Sequence, residues 1–242
     1  MAVELYLDLL SQPCRSVLIF AKKNNIPHEV RNISLMDGEQ YGDHFGKISL
    51  IRKVPALRDG DFTLTESPAI LLYLAQKFQT PEHWYPADLQ QRARIDEYLS
   101  WQHCALRLHG SKLETETELM IPEVLHVEVP KEKMEAAVEQ LSGSLNLLEE
   151  KFLQDRPFIA GGHISLADLV AIVEVMQPVA CGLDVFGGRP KLNAWRDRVQ
   201  AAIGKELFDE VHQNILGSQE RVKEMDGSML ESSKANMLNL FM

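Results

Sequence analysis

Residues 54–78, VPALRDGDFTLTESPAILLYLAQKF, decide the fold. Val54 to Leu57 and Phe62 to Leu64 are short β-prone runs, and Asp59-Gly60 between them is a strong hairpin signal. Ser67 then reads as a helix cap. Pro68 fills the first helical position, where its missing N–H costs nothing, and the apolar run to Phe78 is helical. Toward the N-terminus, Val3 to Leu7 alternates as a strand, and Asp8 to Gln12 is a loop. Pro13 opens a helix that ends near Asn24-Asn25, where Pro27 stops it, and His28 to Ile33 is a second strand. Residues 35–48 hold at most a short helix. Strands joined by a helix should run parallel, and the last two should form an antiparallel hairpin. The expectation is a small α/β domain built on a mixed four-stranded sheet.

Beyond residue 79 the strand signals vanish. Residues 80–88 contain Pro81 and Pro86, show no periodicity and read as a linker. Leu89, Ala93, Ile95, Leu99, Gln102 and Leu106 then keep helical spacing as one helix. Further helices are expected after Pro130, from Ile164 to Met176, after Pro190, and around Leu207, Val211 and Ile215. Ser165 with Asp168 three residues on forms a capping-box variant. The organisation expected is therefore an α/β domain over 1–79, a linker over 80–88, an all-α domain over 89–216 and a tail over 217–242.

The chain has 242 residues and a formal charge of −10. The charge is uneven: residues 1–85 carry 9 Lys/Arg against 10 Asp/Glu, whereas residues 110–150 carry 3 Lys against 10 Glu. An acidic chain without a basic stripe argues against nucleic acid and anionic membrane as partners. Cys14, Cys104 and Cys181 are odd in number and form no C-x-x-C pair, so a disulfide framework is not expected. The eight histidines show no H-x-x-x-H or HExxH spacing, which argues against a metal site. The start, MAVELYLDLL, lacks the basic region of a signal peptide, and Ile70 to Ala75 is too short to span a bilayer. A reducing, cytoplasmic setting is the simplest expectation.

Three motifs carry candidate chemistry. Ser11-Gln12-Pro13-Cys14 lies between the first strand and its helix, where a thioredoxin-like redox protein keeps C-x-x-C. With Ser11 in the first position, a hydroxyl can serve a thiol that belongs to a substrate, or it can simply cap the helix. Val54-Pro55 stands at the start of a hairpin strand. A cis bond there would turn the Val54 backbone outward to pair with an extended peptide. Only about 5–6% of X–Pro bonds are cis, so the residues alone favour an ordinary trans edge proline. Glu66-Ser67 opens the third helix, and helix N-termini hold anions. The pair could grip the amine and carboxylate of an α-amino acid, or act as a plain cap.

Together these stretches resemble a glutathione transferase, and most closely the theta class. The resemblance rests on LYLDLLSQPCR (5–15), KVPALRDGDFTLTES (53–67), AILLYLAQKF (69–78), DEYLSWQH (96–103), ISLADLVAI (164–172) and GRPKLNAWRDRV (188–199). It implies a thioredoxin-like glutathione-binding domain followed by a helical domain that shapes the pocket for a small hydrophobic electrophile, in a homodimer. Ser11 would hydrogen-bond the glutathione sulfur. Gln40 and Lys53 would meet the glycine end, Val54 would pair through its backbone with the cysteinyl unit, and Glu66 and Ser67 would hold the γ-glutamyl end. Arg107 matches an active-site arginine of the class. On local grounds alone, an arginine late in a helix complements the dipole. Glutathione would be a co-substrate, with no metal or organic cofactor.

The implied chemistry has a reachable energy. A free thiol of pKa about 8.5 is only a few per cent thiolate at pH 7, and lowering that pKa by about 2 units needs roughly 2.7 kcal/mol. A hydrogen bond to a charged group supplies about 1.5–3 kcal/mol, and a helix N-terminus about 0.3–1. Residues 110–128 and the end from Gly217 depart from the family pattern, which leaves a second reading: a glutathione-binding protein with weak turnover. A third is a thiol oxidoreductase acting through Cys14.

Overall fold

The computed structural model describes residues 2–116 and 130–217. The chain separates into two compact units between Pro81 and Glu82. The acidic stretch at 117–129 and the tail from residue 218 fall outside the described residues.

The first unit contains β1 (Val3–Leu7), α1 (Gln12–Lys23), β2 (His28–Asn32), α2 (Asp43–Gly46), β3 (Ala56–Asp59), β4 (Phe62–Thr65) and α3 (Ser67–Lys77). The sheet order is β2-β1-β3-β4. β1 and β2 are parallel across α1, and β3 is antiparallel to both β1 and β4. This is the mixed sheet the hairpin and crossover signals call for. Alternation along β1 divides its side chains: Val3, Leu5 and Leu7 are fully buried, as is Leu57 opposite Leu5. α1 and α3 pack on each other through apolar faces that include Val17, Phe20, Ile70 and Leu74. Tyr6 and Ala56 instead join Ile33, Phe45 and Ile48 in a separate cluster beside Val54.

Two boundaries differ from the sequence expectation. β3 begins at Ala56 rather than Val54, because pairing with Tyr6 starts only after the proline. The cap of α3 is Glu66, with Ser67 as the first helical residue. Glu66 has φ 69°, a left-handed conformation that turns the chain from β4 into α3.

The second unit contains α4 (Leu89–Cys104), α5 (Leu106–Glu116), α6 (Lys131–Leu147), α7 (Leu166–Ala180), α8 (Pro190–Ile203) and α9 (Lys205–Leu216). α6 runs on into a π-helical turn over Leu148–Leu153. The single helix expected through Leu106 is two, because Ala105 (φ −128°, ψ −93°) breaks the ladder. Leu89 and Ala93 are exposed, and the buried face of α4 is Ile95, Tyr98, Leu99 and Gln102. α7 is buried almost throughout. Asp168 in its first turn accepts four hydrogen bonds: from Ser165 N (3.0 Å), Ser165 Oγ (2.8 Å), Ile159 N (2.9 Å) and Trp195 Nε1 (2.9 Å). The expected capping carboxylate is thus also the junction of α7, α8 and the loop before α7. Among the described residues, no helix is long and apolar enough to cross a membrane.

Candidate functional site

Register builds the site. Tyr6 pairs with Ala56, and Ala56 with Thr65. β1 therefore leaves the sheet toward Ser11 at the same end where β3 begins after Val54-Pro55 and β4 ends at Glu66-Ser67. Neighbouring strands lie about 4.8 Å apart, so the three motifs share one edge. β2 ends there too, with Leu7 opposite Asn32 and Ile33 N donating to Leu7 O (2.9 Å). The loop carrying Gln40 and Lys53 starts and finishes at this end. Arg107 is the exception: it stands on α5 in the second unit.

The turn before α1 is fixed by a half-buried carboxylate and a buried guanidinium. Asp8 accepts from Leu10 N through Oδ1 and from Leu35 N through Oδ2, both at 2.9 Å, tying the loop to the turn after β2. Arg15 is fully buried, and its Nη1 donates to the carbonyls of Leu9 (2.8 Å) and Leu10 (2.9 Å). Ser11 flanks the helix in extended conformation, and its hydroxyl makes no capping bond to the helix backbone. Neither Asp8 nor Arg15 came out of the sequence reading as a site residue. The available signal was a cation inside the apolar run CRSVLIFA, which a buried helix tolerates only with a job for it.

Cys14 is fully buried, and burial pushes its thiol up to about 12; hydrogen bonds from the Asp8 backbone and the Ser11 side chain offset this only in part. A fully buried, neutral thiol argues against the oxidoreductase reading.

The Val54–Pro55 bond is cis, against the base-rate expectation of trans. Among the described residues, nothing hydrogen-bonds the Val54 amide or carbonyl. Lys53 is exposed, and its backbone is held by Ser49, whose Oγ donates to Lys53 O (3.2 Å). Arg52 donates to the carbonyls of Tyr41 and Gly42 and so closes the loop beneath Lys53. Glu66 is exposed and Ser67 is buried at the start of α3. Gln40 is 1% exposed, yet among the described residues neither its Oε1 nor its Nε2 has a hydrogen-bond partner.

Arg107 is not late in a helix, as the single-helix reading had it. The break at Ala105 makes it the second residue of α5, where the helix field disfavours a cation. Its Nη1 donates to Glu174 Oε1 at 3.0 Å. Among the described residues, no group of three or more His, Cys, Asp or Glu is arranged to hold a metal.

Comparison with known proteins supplies the family. Residues 5–82 match the family model for the glutathione S-transferase N-terminal domain, and residues 105–202 match that for the C-terminal domain. The chain belongs to the theta class of the glutathione S-transferase family. It is 51% identical to glutathione S-transferase theta-3 of Mus musculus over 237 residues, covering 98% of each chain. It is 55% identical to glutathione S-transferase theta-1 of Homo sapiens over 216 residues, covering 89% of this chain and 90% of the other. A crystal structure of human glutathione transferase theta-2 in complex with glutathione and an unknown ligand superposes with a TM-score of 0.89 at 46% identity, over 96% of this chain and 98% of that one. In theta-class terms, the first matched region contains the whole edge where Ser11, Val54, Glu66 and Ser67 meet, and the second contains Arg107.

Proposed function

We propose that this theta-class chain binds reduced glutathione at the sheet edge of its first unit and transfers the thiolate to small hydrophobic electrophiles such as halides and epoxides. The observation that carries the reading is the Tyr6–Ala56–Thr65 register, which gathers Ser11, Val54, Glu66 and Ser67 beside a Val54 backbone with no partner of its own. An unpaired amide and carbonyl at a strand start are what an extended peptide completes.

In this reading, the Ser11 hydroxyl donates to the glutathione sulfur at the N-terminus of α1, and both groups favour the thiolate. Val54 pairs with the cysteinyl unit. Glu66 holds the ammonium of the γ-glutamyl end, and its carboxylate takes the Ser67 hydroxyl at the N-terminus of α3. Lys53 faces the glycine carboxylate as a cation. Gln40 has two buried polar atoms without a partner among the described residues, and a buried amide left so costs about 1–3 kcal/mol per group, which a bound peptide can offset. Arg107 is assigned to the electrophile side. The thiolate attacks an electrophilic carbon and the leaving group departs with the electron pair. The protein's part is to orient and ionise the nucleophile. Glutathione is a co-substrate, and the scheme calls on no resident cofactor.

The same reading takes residues 1–79 as the glutathione-binding domain, 80–88 as linker, 89–216 as the electrophile domain and 217–242 as a divergent tail. It also carries a cytoplasmic homodimer. The test is conjugation of small halides and epoxides by wild type and Ser11→Ala. Equal activity removes the role of Ser11. Glutathione binding without turnover over a broad electrophile panel would make the protein a binding module instead.

A further inference from the structure

α7 (Leu166–Ala180) holds two buried carboxylates, Asp168 and Glu174. Asp168 sits in the first turn and gathers four donors. Glu174 sits in the middle of the helix, 3% exposed, where the helix N-terminus gives it no help. Its ion-pair partner is Arg107 of α5, at 3.0 Å, with 27% of the arginine side chain exposed. Burying such a pair is a poor way to stabilise a fold: desolvation of both charges cancels most of the attraction, and apolar residues of similar size do as well or better.

The arginine is held on one side only. Among the described residues, the bond to Glu174 is the one hydrogen bond Arg107 makes, so the other N–H groups of a five-donor guanidinium stay open. Helix packing fixes the distance. Gly110 lies three residues on, on the same face of α5. A Cβ there would meet Glu174 O at 3.9 Å and Pro178 Cδ at 4.0 Å. Pro178 also lacks the N–H that would bond the Glu174 carbonyl within α7, and a glycine is what faces that stretch. The Arg107–Gly110 face of α5 thus lies against Glu174–Pro178 of α7.

We propose that Glu174 is a positioning residue for Arg107: it anchors one edge of the guanidinium and offsets part of its charge, leaving the remaining donors presented as a moderated cation. The proposal rests on the reading of Arg107 as an active-site residue. Glu174→Gln keeps the shape and an acceptor for Nη1 but removes the counter-charge. Glu174→Leu removes both.

The experiment compares wild type, Glu174→Gln, Glu174→Leu and Arg107→Gln for turnover, the Michaelis constant for glutathione, thermal midpoint and inhibition by inorganic sulfate. Glu174→Gln should bind sulfate three- to tenfold more tightly, since the uncompensated guanidinium attracts anions more strongly. Glu174→Leu should lose at least tenfold in kcat while the glutathione KM stays within twofold and the thermal midpoint holds or rises. Where Glu174→Leu does not fold, the sulfate response of Glu174→Gln decides. If Arg107→Gln loses turnover but both Glu174 variants keep wild-type kcat and sulfate inhibition, the proposal is overturned while the reading of Arg107 stands. If Arg107→Gln itself retains turnover and sulfate inhibition, the assignment of Arg107 falls, and the proposal falls with it.

Discussion

The edge of the sheet in the first unit and the start of α7 in the second treat buried polar groups in opposite ways. Asp168 is fully buried and saturated, with a hydroxyl, two amides and an indole donating to its two oxygens. At the sheet edge, the Val54 backbone and the Gln40 amide have no partner among the described residues. Satisfying a buried group contributes to the fold, and leaving one unsatisfied costs about 1–3 kcal/mol. If Val54 and Gln40 serve a ligand, as proposed, the protein divides these polar groups between stability and binding. Every prediction below presses on that division.

The largest effect should come from breaking the closed network. Asp168→Ala strands the Trp195 indole, the Ile159 amide and the Ser165 groups, and should lower unfolding stability by about 3–5 kcal/mol. Chemical denaturation measures the loss, while the folded fraction should bind glutathione as wild type does. A wild-type denaturation midpoint would show that the network is not what holds α7 to α8. The open network should respond in the reverse sense. Ser11→Ala removes a donor to a charged sulfur, worth about 1.5–3 kcal/mol, so conjugation should fall roughly 10- to 150-fold. Its thermal midpoint should move little, because Ser11 makes no capping bond and gives up only a weak bond to the Cys14 thiol.

Much of this division could be read in the chain. The Asp59-Gly60 hairpin, the Pro13 and Pro190 helix starts and the Ser165-x-x-Asp168 box are local signals, and local signals survive folding. Which residues belong together at the edge came from the family resemblance of the motifs, and the Tyr6–Ala56–Thr65 register shows how the strands bring those motifs to one end of the sheet. What stayed hidden depends on distant partners. Arg15 and Asp8 shape the turn by bonds to backbone that no spacing rule foretells. The helix break at Ala105 hid the fact that Arg107 starts a helix instead of ending one, and with it the bond to Glu174. The cis bond at Val54-Pro55 was legible only as a possibility, because a single X–Pro pair carries no signal strong enough to beat the trans base rate.

A subtler variant sharpens the contrast at one residue. Gln40→Leu replaces an unsatisfied buried amide with an apolar side chain of similar size. If Gln40 is kept for a ligand, the change should raise the stability of the free protein by about 1 kcal/mol and weaken glutathione binding several-fold. Lower stability with unchanged binding would mean that the amide belongs to the fold, and the sheet edge would then resemble the Asp168 network after all.

The smallest effect tests whether the N-terminus of α1 serves a thiol of its own or one that arrives. Burial holds the Cys14 thiol at about 12, far above an ordinary cysteine. A raised thiol favours the protonated form in the folded state. Its contribution to stability is therefore complete below the unfolded pKa near 9 and is lost as the pH climbs toward 12. Between pH 7 and 9, alkylation by iodoacetamide should mark the exposed Cys104 and spare Cys14, and Cys14→Ala should leave conjugation close to wild type. Rapid modification of Cys14 at pH 8 would mean that the helix start ionises its own sulfur. The contrast drawn for the sheet edge would then fail at its centre, because the dipole and the Ser11 hydroxyl, which already bonds the neutral Cys14 thiol, would be stabilising the protein's own thiolate.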